Sequence, residues 1–204
     1  DQYIAARARA AQILLLQGKP DEARELLHAT RGGSTTEQAQ LAIAEAQLLR
    51  DAGRPDDGYA VLEAALAKDP DNPELLYETA LNAERQGKPE VMEKHLRQLL
   101  KLKPDHAHAL NALGYSLAER NIRLAEAQDL IARALVLAPQ DPFIMDSMGW
   151  VQYRQGKLPE ALKTLETAYG IKADPEIAAH LGEVLWTMGR KDDAARLLKE
   201  AAKK

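Results

Sequence analysis

Residues 142–173 read PFIMDSMGWVQYRQGKLPEALKTLETAYGIKA, and this stretch decides the fold. Asp141 followed by Pro142 is a helix start. The short carboxylate can accept a backbone N–H, and proline lacks the donor that a first helical turn leaves unsatisfied. Gly156 is a helix stop, because glycine takes up the left-handed backbone conformation at little cost. A second helix is expected over residues 159–171, with Ala161, Leu165 and Ala168 on one face. Gly149 in the first helix lets its partner approach, and Leu165 fills the space beside it. Neither helix can bury its apolar side alone, so the pair must stack on neighbours.

Working outward, the same beat runs through the whole chain. Turn residues stand at Gly18, Gly53, Gly87, Asn121, Gly156 and Gly189, spaced 33 to 35 residues apart. Seven positions before each is a tiny residue: Ala11, Ala46, Ala80, Gly114, Gly149 and Gly182. Nine positions after each is a large aliphatic one, Leu27, Leu62, Leu96, Leu165 and Leu198. Ile131 takes this place in the fourth repeat, which carries one extra residue after Asn121. A period near 34 marks a stacked array rather than one closed core. Asn72-Pro73 and Asp174-Pro175 are further helix starts. With no sustained period-two pattern, the expectation is all-α: six helix–turn–helix repeats over 1–34, 35–70, 71–104, 105–140, 141–173 and 174–204, forming one domain. The first junction, Thr30-Arg31-Gly32-Gly33-Ser34, has no proline, and Ser34-x-x-Glu37 has the form of a capping box. Residues 31–36 are therefore expected to be the most mobile segment and the first to be nicked by protease, near Arg31. The second repeat has Glu45 where an aliphatic is expected, which predicts looser stacking there.

Composition narrows the function. The chain starts Asp1-Gln2-Tyr3 without Met, so it is expected to be a piece of a longer protein. The longest purely aliphatic run, Ile13–Leu16, is far short of the ~20 residues that span a bilayer. There is no cysteine, which excludes disulfides, thiolate zinc sites and thiol catalysis. The 27 basic residues are outnumbered by 31 acidic ones. The one basic stripe, Lys94, Arg97 and Lys101, is interrupted by Glu90 and Glu93, so no nucleic-acid partner is expected.

Catalysis is not expected either. His106 and His108 are two apart and point in different directions on a helix, a poor metal pair. Asp105 with His108 reads as a helix start. Gly18-Lys19 and Gly156-Lys157 lack the upstream glycine of a phosphate loop. Ser116 lacks the second glycine of a nucleophile elbow. No base, nucleophile and oxyanion donor can be assembled, and no metal or cofactor is implied.

The set Met148-Gly149, Gly156, Ala161, Leu165 and Ala168, repeated as Leu181-Gly182, Gly189, Ala194, Leu198 and Ala201, resembles the tetratricopeptide repeat along the whole chain. The resemblance implies a right-handed superhelical solenoid whose first helices line a concave groove that binds a protein or peptide. Asn111–Arg120 (NALGYSLAER), Asp146–Gly156 (DSMGWVQYRQG) and Ala178–Gly189 (AAHLGEVLWTMG) are similar to C-terminal repeats of large proteobacterial tetratricopeptide proteins. That group includes outer-membrane lipoproteins, some of which act as adaptors for a periplasmic processing protease. It implies a periplasmic location at the outer membrane; a cytoplasmic one is the alternative.

A helical wheel places Tyr77, Tyr115, Phe143, Trp150, Tyr153 and Trp186 on the groove side, six of the nine aromatics. Large aromatics with a polar handle anchor interfaces. Asn111, Asp146, Arg154 and Glu183 lie on that side too, suited to a peptide backbone or basic side chains, and His180 lies near it. The expected function is a scaffold or adaptor holding a partner segment there. On that reading at least one tryptophan is substantially exposed, and Trp150→Ala weakens binding while costing little stability. The competing reading makes these rings packing between neighbouring first helices. A second functional reading is self-assembly through the apolar faces of terminal repeats.

Overall fold

Helices begin and end where capping side chains, prolines and left-handed turns put them. The computed structural model describes residues 2–30 and 33–202, and of residue 2 the backbone only. Arg31 and Gly32, where the sequence places the mobile loop, lie outside the described residues. The chain divides into two units, Asp1–Pro104 and Asp105–Lys204. The first holds α1 (Gln2–Leu16), α2 (Pro20–Ala29), α3 (Thr35–Asp51), α4 (Pro55–Lys68), α5 (Pro73–Arg85) and α6 (Pro89–Leu102). The second holds α7 (Ala107–Glu119), α8 (Leu124–Leu137), α9 (Pro142–Arg154), α10 (Leu158–Ile171), α11 (Pro175–Thr187) and α12 (Lys191–Ala201). The described residues contain no strand.

Polar side chains satisfy the orphan amides at first-helix starts, each contributing about 1 kcal/mol. Asn72 accepts from the amides of Glu74 and Leu75, Asp141 from those of Phe143 and Ile144, and Asp174 from that of Glu176. Ser34 and Glu37 form the capping box: Ser34 Oγ accepts from the Glu37 amide, and the Glu37 carboxylate accepts from the Ser34 amide. At α7 the cap differs from the expectation. His106, not Asp105, takes it, with Nδ1 accepting from the Ala109 amide at 3.1 Å. At the turns, Gly156 has φ +77° and Asn121 φ 54°. The extra residue of the fourth repeat brings a second left-handed side chain, Arg123 at φ 47°.

Within each unit, helices pack on their pair partner and on the next pair. In the second unit α9 contacts α7, α8, α10 and α11. The tiny-and-large pairing holds. A Cβ built at Gly149 would fall 2.5 Å from Leu165 Cγ, and one at Gly114 would fall 2.6 Å from Ile131 Cγ1. Leu165 and Ile131 are fully buried. Burial of such a side chain stabilises by about 1.5–3 kcal/mol. The second repeat achieves close approach from the other side, with Gly58 of α4 against the Ala46 carbonyl.

Glu45 is buried, as its position on the apolar side of α3 requires. It is neutralised by Arg24 of α2, whose Nε lies 2.8 Å from its Oε1, and His28 Nε2 lies 2.7 Å from the same oxygen. Beside it a cavity of about 640 Å³ opens between α2, α3 and α4, reaching Leu75 of α5, with Ala39, Ala42 and Ala64 among its lining residues.

Candidate functional site

The first helices of the second unit, α7, α9 and α11, bring most of the sequence-derived residues into one network. Trp150 is its centre. Its indole Nε1 donates to Glu119 Oε2 at 2.8 Å. One face of the ring stacks on the His180 imidazole, with centroids 4.3 Å apart, and Tyr153 stacks at 5.0 Å. The Arg154 guanidinium lies 5.6 Å from the ring centroid and donates to the carbonyls of Ala118 and Glu119. Only 5% of Trp150 remains exposed.

His180 is held from both sides. Its Nδ1 lies 2.8 Å from Asp146 Oδ2, and its Nε2 3.5 Å from the Tyr115 hydroxyl. Burial pushes the His180 pKa down, but the hydrogen bond and charge of Asp146, with the charges of Glu176 and Glu119, outweigh it and the net shift is upward. Asp146 and His180 are both buried. The Tyr153 hydroxyl donates to Glu183 Oε1 at 3.1 Å and lies 3.2 Å from Thr187 Oγ1. The Tyr153 ring packs on the core formed by Leu165, Leu181 and Leu185.

These facts correct the expectation for Trp150, Asp146 and His180. All three are buried within the network. The wheel gives the direction in which a side chain leaves its own helix. It does not register that Glu119, His180 and Arg154 reach over the ring from neighbouring positions.

Other groove-side residues remain accessible. Trp186 is 55% exposed and Phe143 39%. Each carries an ammonium over its ring: Lys191 Nζ is 4.9 Å from the Trp186 centroid, and Lys172 Nζ 4.3 Å from that of Phe143. Glu183 is exposed, and Tyr115, Tyr153 and Arg154 are half-buried. Asn111 is half-buried and its Oδ1 is a buried acceptor without a hydrogen-bond partner. Tyr77 is half-buried in the first unit; burial and the nearby Glu78 raise its phenol pKa. Sequence reasoning missed Glu119 and Thr187. A signal was there: both stand five residues after the tiny residue of their repeat, as Arg154 does in its own.

Among the described residues no helix is long and apolar enough to cross a membrane. The helix pairs, their stacking and the aromatic first-helix face define a repeat protein of the interaction-scaffold class. The chain belongs to the tetratricopeptide repeat family: models described as Tetratricopeptide repeat match residues 4–29, 38–82, 77–142 and 147–204. It is 40% identical over 183 residues to TPR repeat-containing protein PA4667 of Pseudomonas aeruginosa, covering 90% of this chain. The chain spans about a third of that relative, 31% of its length. Two solved structures share the fold. A tetratricopeptide repeat protein from Parabacteroides merdae aligns over 100% of this chain and 80% of its own, at TM-score 0.80 and 15% identity. TTC0263, a thermophilic TPR protein of Thermus thermophilus, aligns over 83% and 91%, at TM-score 0.70 and 23% identity.

Proposed function

We propose that this chain holds a protein or peptide segment against the first-helix face of its second unit, acting as an adaptor or scaffold without chemistry of its own. The observation that carries this reading is the contrast between two tryptophans. Trp150 is buried and tied to its neighbours, which makes the face rigid. Trp186, on the adjacent first helix, offers more than half its surface to solvent. A preorganised surface with an exposed aromatic anchor loses little entropy on binding. Asn111, Tyr115, Phe143 and Glu183 lie on first helices of the same unit and could fix the register of a docked segment. A role in the bacterial envelope is suggested by the resemblance of the last three repeats to large proteobacterial tetratricopeptide proteins, a group that includes outer-membrane lipoproteins. Trp186→Ala should abolish capture of the native partner from a host extract and leave the melting temperature within a degree or two. Undiminished capture would refute the reading.

A second reading, self-assembly, is favoured by Leu198 of the last helix, which is 44% exposed although its counterparts Leu165 and Ile131 are fully buried. Light scattering over a concentration series separates the two: a monomer at all concentrations excludes assembly through α12.

A further inference from the structure

We infer that the first unit holds a binding site of its own, the cavity beside Glu45, and that it takes an uncharged, mostly apolar small molecule with one hydrogen-bond donor. The site is separate from the second-unit face and does not depend on it. All the residues lining the cavity lie between Arg24 and Leu75. Its origin is a difference in helix length. The second helices α4, α6, α8 and α10 each have 14 residues, whereas α2 has 10. At a rise of about 1.5 Å per residue, α2 stops about 6 Å short, roughly one turn. The cavity opens at that end, between Leu27 and Thr30, the first half of α3 and the last turns of α4. Its volume of about 640 Å³ falls within the ~300–1,000 Å³ of small-molecule pockets.

Glu45 is the polar anchor. The position before the tiny residue is Leu113, Met148 and Leu181 in the last three repeats, all buried. The second repeat buries a carboxylate there, where an apolar side chain would serve packing at least as well. Arg24 Nε and His28 Nε2 both contact Oε1, and Oε2 takes no hydrogen bond from the described residues. One oxygen thus fixes the carboxylate, and the other is an acceptor for a ligand's N–H or O–H. A hydrogen bond to an ionised acceptor is about twice as strong as one between neutral groups. The charged side chains lining the cavity are two of each sign, Arg24 and Lys68 against Glu45 and Asp69, together with His28. A charged ligand would upset that balance and give up its own hydration, whereas a neutral donor does neither.

The test uses the whole chain and four probes of one shape: indole, 1-methylindole, tryptamine and indole-3-acetate. The first is neutral with an N–H donor, the second neutral without one, the third cationic and the fourth anionic. Calorimetry should show indole binding about tenfold or more tightly than 1-methylindole, with both charged probes weaker than indole. Glu45→Met keeps the side-chain volume and removes the acceptor, so it should bring indole down to the level of 1-methylindole. Ala42→Phe narrows the cavity and should weaken both neutral probes about tenfold at an unchanged or higher melting temperature. If the parent chain binds no probe at millimolar concentration, the cavity is a packing defect and the site is overturned. Equal binding of indole and 1-methylindole overturns the role of Glu45. Binding that Ala42→Phe leaves unchanged lies elsewhere, and the assignment falls.

Discussion

The imidazole of His180 faces the carboxylate of Asp146 across the contact between α11 and α9, with Nδ1 2.8 Å from Oδ2. The pair is buried, so it has a definite pH signature. Burial lowers the His180 pKa, and Asp146 chiefly, with Glu176 of the same helix and Glu119 of α7, raises it by more. A histidine whose folded pKa lies above its unfolded value binds more protons when folded. Its stabilisation is complete below the unfolded pKa of about 6.5 and is lost as pH rises through the higher native value. The melting temperature should therefore fall as pH is raised above about 6. In Asp146→Asn only burial and the weaker charges remain, so this fall should flatten or change sign. Parallel curves for the two proteins would refute the role of the pair.

The two tryptophans should separate cleanly on mutation. Trp150 is buried and stacked on two rings, so Trp150→Ala should destabilise the second unit by about 3–5 kcal/mol. It also leaves Glu119 without its indole donor and His180 without its ring partner. Trp186→Ala should cost no more than about 0.5 kcal/mol, the range of surface substitutions. Urea denaturation followed by circular dichroism measures both. Comparable losses would mean that the exposed ring packs in solution.

Much of this fold was legible because it is periodic. One repeat, residues 142–173, fixed the expected positions of every turn, and the helices fall between them. Local chemistry was legible where it acts within a few residues, as in the Ser34–Glu37 box and the Asp141 cap. The misses involve longer reach or a choice between near-equivalents. Trp150 reads as a surface residue on its own helix, and its burial depends on Glu119, 31 positions before it, and His180, 30 after, as well as on Tyr153 and Arg154 nearby. His106 and Asp105 could each cap α7, and a one-residue difference in where the helix begins decides it. Arg123 has a left-handed backbone that the sequence does not announce, because the residue inserted there is not glycine.

Glu45 shows where a departure from the repeat pattern was read correctly in place but not in form. The buried carboxylate is paired with Arg24 and hydrogen-bonded to His28, both of which reach partly into solvent. Replacing a buried ion pair with a packed aliphatic side chain is often neutral or stabilising, whereas simple truncation leaves a hole. Glu45→Met should therefore leave the melting temperature unchanged or raise it by a few degrees. Glu45→Ala, beside an existing cavity of about 640 Å³, should lower stability by about 1–3 kcal/mol. Calorimetry of the pair decides it: if methionine is the worse of the two, the carboxylate has a structural role that the Arg24 and His28 contacts do not explain.

The three glycines of the last repeats should respond unequally to the same methyl group. Alanine is preferred to glycine inside a helix by about 1 kcal/mol, so each Gly→Ala change starts with a gain. At Gly149 the added Cβ would sit 2.5 Å from Leu165 Cγ and 2.9 Å from Cδ2. The contact is near the root of the leucine rather than at its tip, and Leu165 is fully buried with no room to retreat. At Gly114 the obstacles are Ile131 Cγ1 at 2.6 Å and the Ala127 carbonyl oxygen at 2.9 Å, the second being backbone that moves only with its helix. Overpacking of this kind costs about 1–3 kcal/mol and outweighs the helix gain. At Gly182 the nearest atoms belong to Leu198, at 3.2 Å, and that side chain is partly in solvent and can swing aside. Urea denaturation should thus place Gly149→Ala and Gly114→Ala below the parent and Gly182→Ala level with it or above. Gly149→Leu should be worse than Gly149→Ala, by about 2 kcal/mol or more. Equal losses at all three positions would mean that close helix approach, rather than the freedom of the facing side chain, sets the tolerance of this repeat.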